Sequence, residues 1–209
     1  MDGFVFLDHS TVSGNNSQGN GGVIHNAATA SYLLVANSTI TNNSADNDAD
    51  GNGNGGGIFT RADIETENTI VAGNFDKSTA GNIYPDVSGV VTDNGNNLIG
   101  NNEGSSGFSV STLVGTNTNI INPELGALAN NGGATATHAL LDTSPAINAG
   151  DPNYVGVTTD QRGVNRVLGG QIDIGAFESS FDTVSITAQD DIAAESGANT
   201  GTFRISRIG

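Results

Sequence analysis

The sequence predicts an all-β fold, a parallel β-helix, on three observations. First, a short aliphatic or β-branched run closed by a small turn and an Asn recurs along the chain. Its copies are residues 9–15 (HSTVSGN), 37–43 (NSTITNN), 68–74 (NTIVAGN) and 96–101 (NNLIGN). The closing residues Asn15, Asn43, Asn74 and Asn101 lie 28, 31 and 27 residues apart. Stacked solenoid turns repeat at such a period. Second, no segment carries a sustained i, i+3, i+4 apolar stripe. Third, hydrophobic residues are 35 % and Gly numbers 30 in 209 residues. That suits a narrow interior stripe in each turn better than a broad layered core.

The repeat array spans about residues 1–120. A second recurrence supports the first. Val23-Ile24, Ile58-Phe59 and Ile83-Tyr84 each restart an extended run after a Gly-rich or polar turn. The second turn carries an insertion, DNDADGNGNGG at residues 46–56, and insertions in solenoids map to loops. Alternation along each run places Val12, Ile40, Val71 and Ile99 inside, with Leu33, Val35, Ile64 and Val90 on neighbouring runs. Asn and Gly at the corners suit turns with positive φ. Stacked Asn side chains can bond to one another along the axis.

Charge narrows the partners. The net charge is −16, with Lys+Arg only 6. Such a chain repels phosphate backbones and anionic lipid, which argues against nucleic-acid binding. No apolar run reaches the length of a membrane helix, so no membrane insertion is expected within this chain. Without Cys, disulfide stapling and thiol chemistry are excluded. The first residues, MDGFVFLDHS, lack the pattern of a signal peptide. They read as the middle of a repeat, as in a piece of a longer protein.

Past residue 120 the period is lost, and residues 121–179 read as an irregular C-terminal cap. The motifs there are NPELGAL (122–128), NNGGATATHALL (130–141), SPAINAG (144–150), DQRG (160–163) and DIGAFE (173–178). Together with repeats of the NSTITNN type, they resemble bacterial secreted β-helix proteins with a choice-of-anchor, polymorphic-outer-membrane-protein-like C-terminal region. The resemblance implies a right-handed, pectin-lyase-like β-helix at the cell surface or outside the cell. It implies no reaction. Residues 180–209 resemble the opening of a Calx-β domain. The whole sandwich needs about 100 residues, so only its first strands are present. There Val184, Ile186, Phe203 and Ile205 alternate as strand residues do.

Three groups of residues carry candidate chemistry. Asp46-x-Asp48-x-Asp50-Gly51 matches the first half of a calcium loop, in which carboxylates two apart converge and Gly permits the sharp turn. The twelfth position is Gly57 rather than Glu, so the closing bidentate ligand is missing. The alternative is a solvated acidic loop. Glu195 sits where the Calx-β resemblance implies a calcium ligand. The third group is Arg61, Asp63 and Glu65. They fall on alternate positions of one run and share a face, and Glu67 continues it. A base beside carboxylates is what a polysaccharide lyase needs, although charged strand faces are commonly just solvated.

The expected function is a non-enzymatic surface or secreted scaffold for adhesion or presentation. Calcium is its structural ion, and its partner is a polysaccharide or another cell-surface protein. The alternative is an extracellular polysaccharide lyase or epimerase. A Thr-rich face (Thr11, Thr39, Thr69) adsorbing a crystalline surface is a third reading.

Overall fold

A computed structural model of the chain describes residues 3–27, 31–79, 83–168, 170–180, 183–188 and 202–208. Contacts divide the chain into two units, Met1–Ser179 and Ser180–Gly209.

The first unit is a parallel β-solenoid of about three turns. The first turn contains β1 (Gly3–Asp8), β2 (Thr11–Ser13) and β3 (Ile24–Asn26). The second contains β4 (Ser31–Ala36), β5 (Thr39–Thr41), β6 (Ser44–Ala45) and β7 (Ile58–Thr60). The third contains β8 (Ile64–Glu67), β9 (Ile70–Val71), β10 (Phe75–Asp76) and β11 (Val87–Val90). A closing partial turn contains β12 (Thr92–Gly95), β13 (Leu98–Ile99), β14 (Ser105–Ser106) and β15 (Leu113–Val114). Equivalent strands stack into three main parallel sheets, β1-β4-β8-β12, β2-β5-β9-β13-β15 and β3-β7-β11-β14, with a small fourth, β6-β10. The described residues contain no helix long and apolar enough to cross a membrane.

Register explains the interior. Val12, Ile40, Val71, Ile99 and Val114 align across one sheet. Ile40, Val71 and Ile99 are buried together with Leu33, Val35 and Ile64. Val90 departs from the expected pattern: it is exposed, and Val91 is buried in its place. Val87 and Val91, four residues apart, are both buried in the core, so Val90 falls on the outward side of the same alternation.

Polar ladders run parallel to this apolar column. Asn15 donates through its N–H and Nδ2 to Asn43 Oδ1, both at 3.0 Å. Asn43 donates in the same way to Asn74 Oδ1, at 3.1 and 2.9 Å. The next rung is not Asn101. It is Asp86, whose Oδ1 accepts both Asn74 donors at 3.0 Å, while its Oδ2 accepts the Asn101 N–H at 2.8 Å. A second ladder runs from the Ser10 N–H to Ser38 Oγ, then from Ser38 to Thr69, from Thr69 to Asn97 and from Asn97 to Thr112. Beside it, His9, Asn37, Asn68 and Asn96 all have φ between 46° and 54°. Asn tolerates that left-handed corner better than most residues.

Residues 121–179 pack along the flank of the β2-β5-β9-β13-β15 sheet. The outward row of that sheet is Thr11, Thr39, Ile70, Leu98 and Leu113. Ile70 and Leu98 are buried with Leu140, Ala146 and Ile174 in a second core. Thr11 Oγ1 donates to Gln161 Oε1, and Thr39 Oγ1 accepts the Ala176 N–H. His138 is buried, with its ring nitrogens 2.7 Å from Gly126 O and 2.9 Å from Ser13 Oγ. The Thr residues do not form one open face: Ile70, not Thr69, aligns with Thr39, and Thr39 and Thr69 are 2 % and 1 % exposed. A flat adsorbing surface is ruled out there. A hairpin of β16 (Leu125–Ala129) and β17 (Thr137–Leu140) begins this region.

In the second unit, β18 (Thr183–Ala188) pairs antiparallel with β19 (Phe203–Ile208).

Candidate functional site

The outer face of the β1-β4-β8-β12 sheet gathers a group of acidic side chains, Asp8, Asp63, Glu65 and Glu67. Inward residues Leu33, Val35, Ile64 and Thr66 are buried, so their neighbours point out. Three outward rows result. Phe4 aligns with Tyr32, Phe6 with Leu34 and Glu65, and Asp8 with Ala36 and Glu67. Asp63 precedes β8 on the same alternation and is exposed. Glu65 accepts the Asn94 Nδ2 at 2.8 Å.

The expected constellation of Arg61, Asp63 and Glu65 is split. Asp63 and Glu65 belong to this face. Arg61 leans away, its guanidinium carbon 5.1 Å from the centre of the Phe59 ring. Among the described residues Arg61 forms no ion pair. It shares with Asp63 a shallow depression of about 280 Å³ at the turn between β7 and β8.

At the other end of the face, the loop at residues 151–157 rises beside the sheet and makes a groove of about 340 Å³. Asp8, Ala36, Asn37 and Glu67 form its floor, and Asp151 and Tyr154 stand in its wall. Asn37 Nδ2 lies 3.1 Å from both Asp8 Oδ1 and Tyr154 Oη, tying floor to wall. Burial, followed by the charges of Asp151, Asp8 and Glu65, holds the Glu67 carboxyl above its usual range. His9 borders the groove with Nδ1 2.7 Å from Asp8 Oδ1. Burial lowers its pKa despite that neighbour. Sequence reasoning placed Glu67 on this face and missed Asp8, Asp151 and Tyr154. Those three come from segments more than 140 residues apart, and no local spacing marks them.

The acidic insertion forms a separate site. Carboxylate oxygens of Asp46, Asp48 and Asp50 all lie within 4.8 Å of one another. Asp46 is buried and Asp48 and Asp50 are exposed. The Asp50 and Gly51 N–H groups donate to the two Asp46 oxygens at 3.1 and 2.9 Å. Burial pushes the Asp46 carboxyl up, but hydrogen bonds from Ser78, Gly51 and Asp50 outweigh it and hold it below the ordinary range. The loop is also tied to its neighbours: the Asp46 N–H donates to Gly19 O, and Lys77 Nζ to Asn47 Oδ1. The donor set, three carboxylates in one turn, fits a hard cation such as calcium. Gly57 cannot supply a closing ligand, because a Cβ there would lie 2.8 Å from Asp86 O and 3.1 Å from Val71 Cγ1. The solenoid wall occupies that space. Glu195 lies outside the described residues.

Arg162 and Arg166 belong to the flank region. Arg162 Nε donates to Asp160 Oδ2 at 2.8 Å, and its guanidinium carbon is 3.5 Å from the Phe177 ring centre. Arg166 is fully buried and donates to Gly175 O. Its Nη1 is 3.8 Å from Glu178 Oε2. Burial pushes the Glu178 carboxyl up to about 8. These contacts pin the flank segment to itself.

No protein-family model, curated protein or solved structure matches the chain.

Proposed function

We propose that this protein is a non-catalytic, calcium-stabilised β-solenoid scaffold, secreted or displayed at a bacterial cell surface, where it serves adhesion or presentation. The observation that carries the reading is the Asp46–Asp48–Asp50 cluster, with carboxylate oxygens within 4.8 Å of one another. A calcium ion there would offset local repulsion and fix the insertion of the second turn against the solenoid. The acidic balance of −16 and the resemblance of the 122–178 motifs to choice-of-anchor β-helix proteins support the location. A resemblance of residues 182–207 to the start of a Calx-β domain points the same way. The partner on this reading is a polysaccharide or another cell-surface protein.

Two measurements test the proposal. Calorimetric titration with calcium should give one site in the wild type and none in Asp48→Asn. Protease treatment of intact cells expressing the full-length protein should remove it. Survival of the protein until the cells are lysed would overturn the location.

The groove favours a second reading, an extracellular polysaccharide lyase or epimerase of the pectin-lyase-like class. Its support is the set of carboxylates Asp8, Glu67 and Asp151 around one concave site, with the Glu67 carboxyl held above its usual range by burial and then by Asp151. Cleavage of any acidic polysaccharide in a panel, abolished in Glu67→Gln, would replace the scaffold reading.

A further inference from the structure

We infer that the outer face of the β1-β4-β8-β12 sheet is a docking surface for an arginine- or lysine-rich segment of another protein. The inference rests on the scaffold reading above and specifies the chemistry of its partner.

The face has an apolar half and an acidic half in contact. Phe4 and Phe6 are 69 % and 64 % exposed, unusual for large aromatic side chains on a soluble surface. Their rings lie 5.6 and 6.4 Å from that of Tyr32, so the three form one aromatic cluster. Glu65 adjoins it, aligned with Leu34 and through Leu34 with Phe6. The Glu65 carboxylate beside Tyr32 raises the tyrosine pKa. Asn94 holds Glu65 from the other side. Asp63, Glu67 and Asp8 extend the negative half.

Charge complementarity names the occupant. Guanidinium and ammonium groups are the side chains that gain from both halves: they lie over aromatic faces and pair with adjacent carboxylates. Arg61, the nearest basic residue in sequence, lies over Phe59, and among the described residues no Lys or Arg pairs with Asp63, Glu65 or Glu67. The backbones of β4 and β8 are paired on both sides, so a partner lying across them docks through side chains. The overall charge of −16 steers a basic segment toward the molecule, and salt weakens that steering.

The test is binding of a labelled oligoarginine peptide to the full chain, measured by fluorescence anisotropy at low and at physiological salt. Phe6→Ser and Glu65→Gln alter the face, and Asp142→Asn removes an exposed carboxylate from the flank region. The expected result is salt-sensitive binding that weakens about five- to tenfold in each face variant and by less than about twofold in Asp142→Asn. Binding that drops equally in Glu65→Gln and Asp142→Asn and is untouched by Phe6→Ser would overturn the inference, since only net charge would then be at work. No binding would also overturn it. So would tighter binding of a glucosamine oligomer than of oligoarginine, which would assign the face to a basic glycan. None of these outcomes bears on calcium affinity, so the scaffold reading stands or falls separately.

Discussion

Asn74 and Asp86 meet through three atoms: the Asn74 N–H and Nδ2 both donate to Asp86 Oδ1 at 3.0 Å. An aspartate thereby closes a column of asparagines inside the solenoid. Asp86 is 2 % exposed. Burial outweighs the donors of Asn74 and Asn101 and pushes its carboxyl up to about 6, from 3.8.

The raised pKa fixes the sign of a pH effect. The folded state favours the protonated acid, so the contribution of Asp86 to stability is complete below pH 3.8 and is lost as pH rises through about 6. The shift corresponds to about 2–3 kcal/mol. The difference in unfolding free energy between wild type and Asp86→Asn should therefore change by that amount between pH 4 and pH 7, to the disadvantage of wild type at the higher pH. Urea titrations at the two values check it, and a difference independent of pH would refute it.

Asn43 is the ladder residue with most to lose. It is fully buried, donates through Nδ2 to Val12 O, Thr41 O and Asn74 Oδ1, and accepts from Asn15. Asn43→Ala strands several of these groups and should cost about 3–5 kcal/mol in denaturant unfolding. Asn15→Ala, at the exposed end of the column, should cost about 1 kcal/mol or less.

The flank segment stabilises the solenoid through its own core. Ile174 is fully buried between Ile70, Leu98 and Ala146. Ile174→Ala should destabilise the protein by about 2–5 kcal/mol. Hydrogen exchange should quicken in β9 and β13, which lie beneath it, more than in β7 and β11.

Much of this architecture is legible from sequence because its rules are local. Val12, Ile40 and Val71 announce the interior by alternation and spacing, and Asn37 and Asn68 announce the corners. Asp86 is hidden because it enters the ladder 12 residues after Asn74, out of period and with a different side chain. Val90 is misread because it stands in an aliphatic pair with Val91, and it is Val91 that keeps step with inward Val87. The Thr row is misread because Thr69 falls one position out of register, with Ile70 standing against Thr39, and because the period does not say which outer face a later segment will cover. The Asp46 loop is readable as a motif, since its ligand atoms lie within five residues. The groove of Asp8, Glu67 and Asp151 depends on distant segments meeting.

The most direct measurement of the central claim is the melting temperature of the full chain in millimolar calcium, in millimolar magnesium and in chelator. A hundredfold excess over the dissociation constant adds about 2.7 kcal/mol, equivalent to about 5–10 °C for a unit of this size. The melting temperature should rise by that amount with calcium, little with magnesium, and not at all in Asp48→Asn. A melting temperature indifferent to calcium, or a rise retained in Asp48→Asn, would contradict that claim.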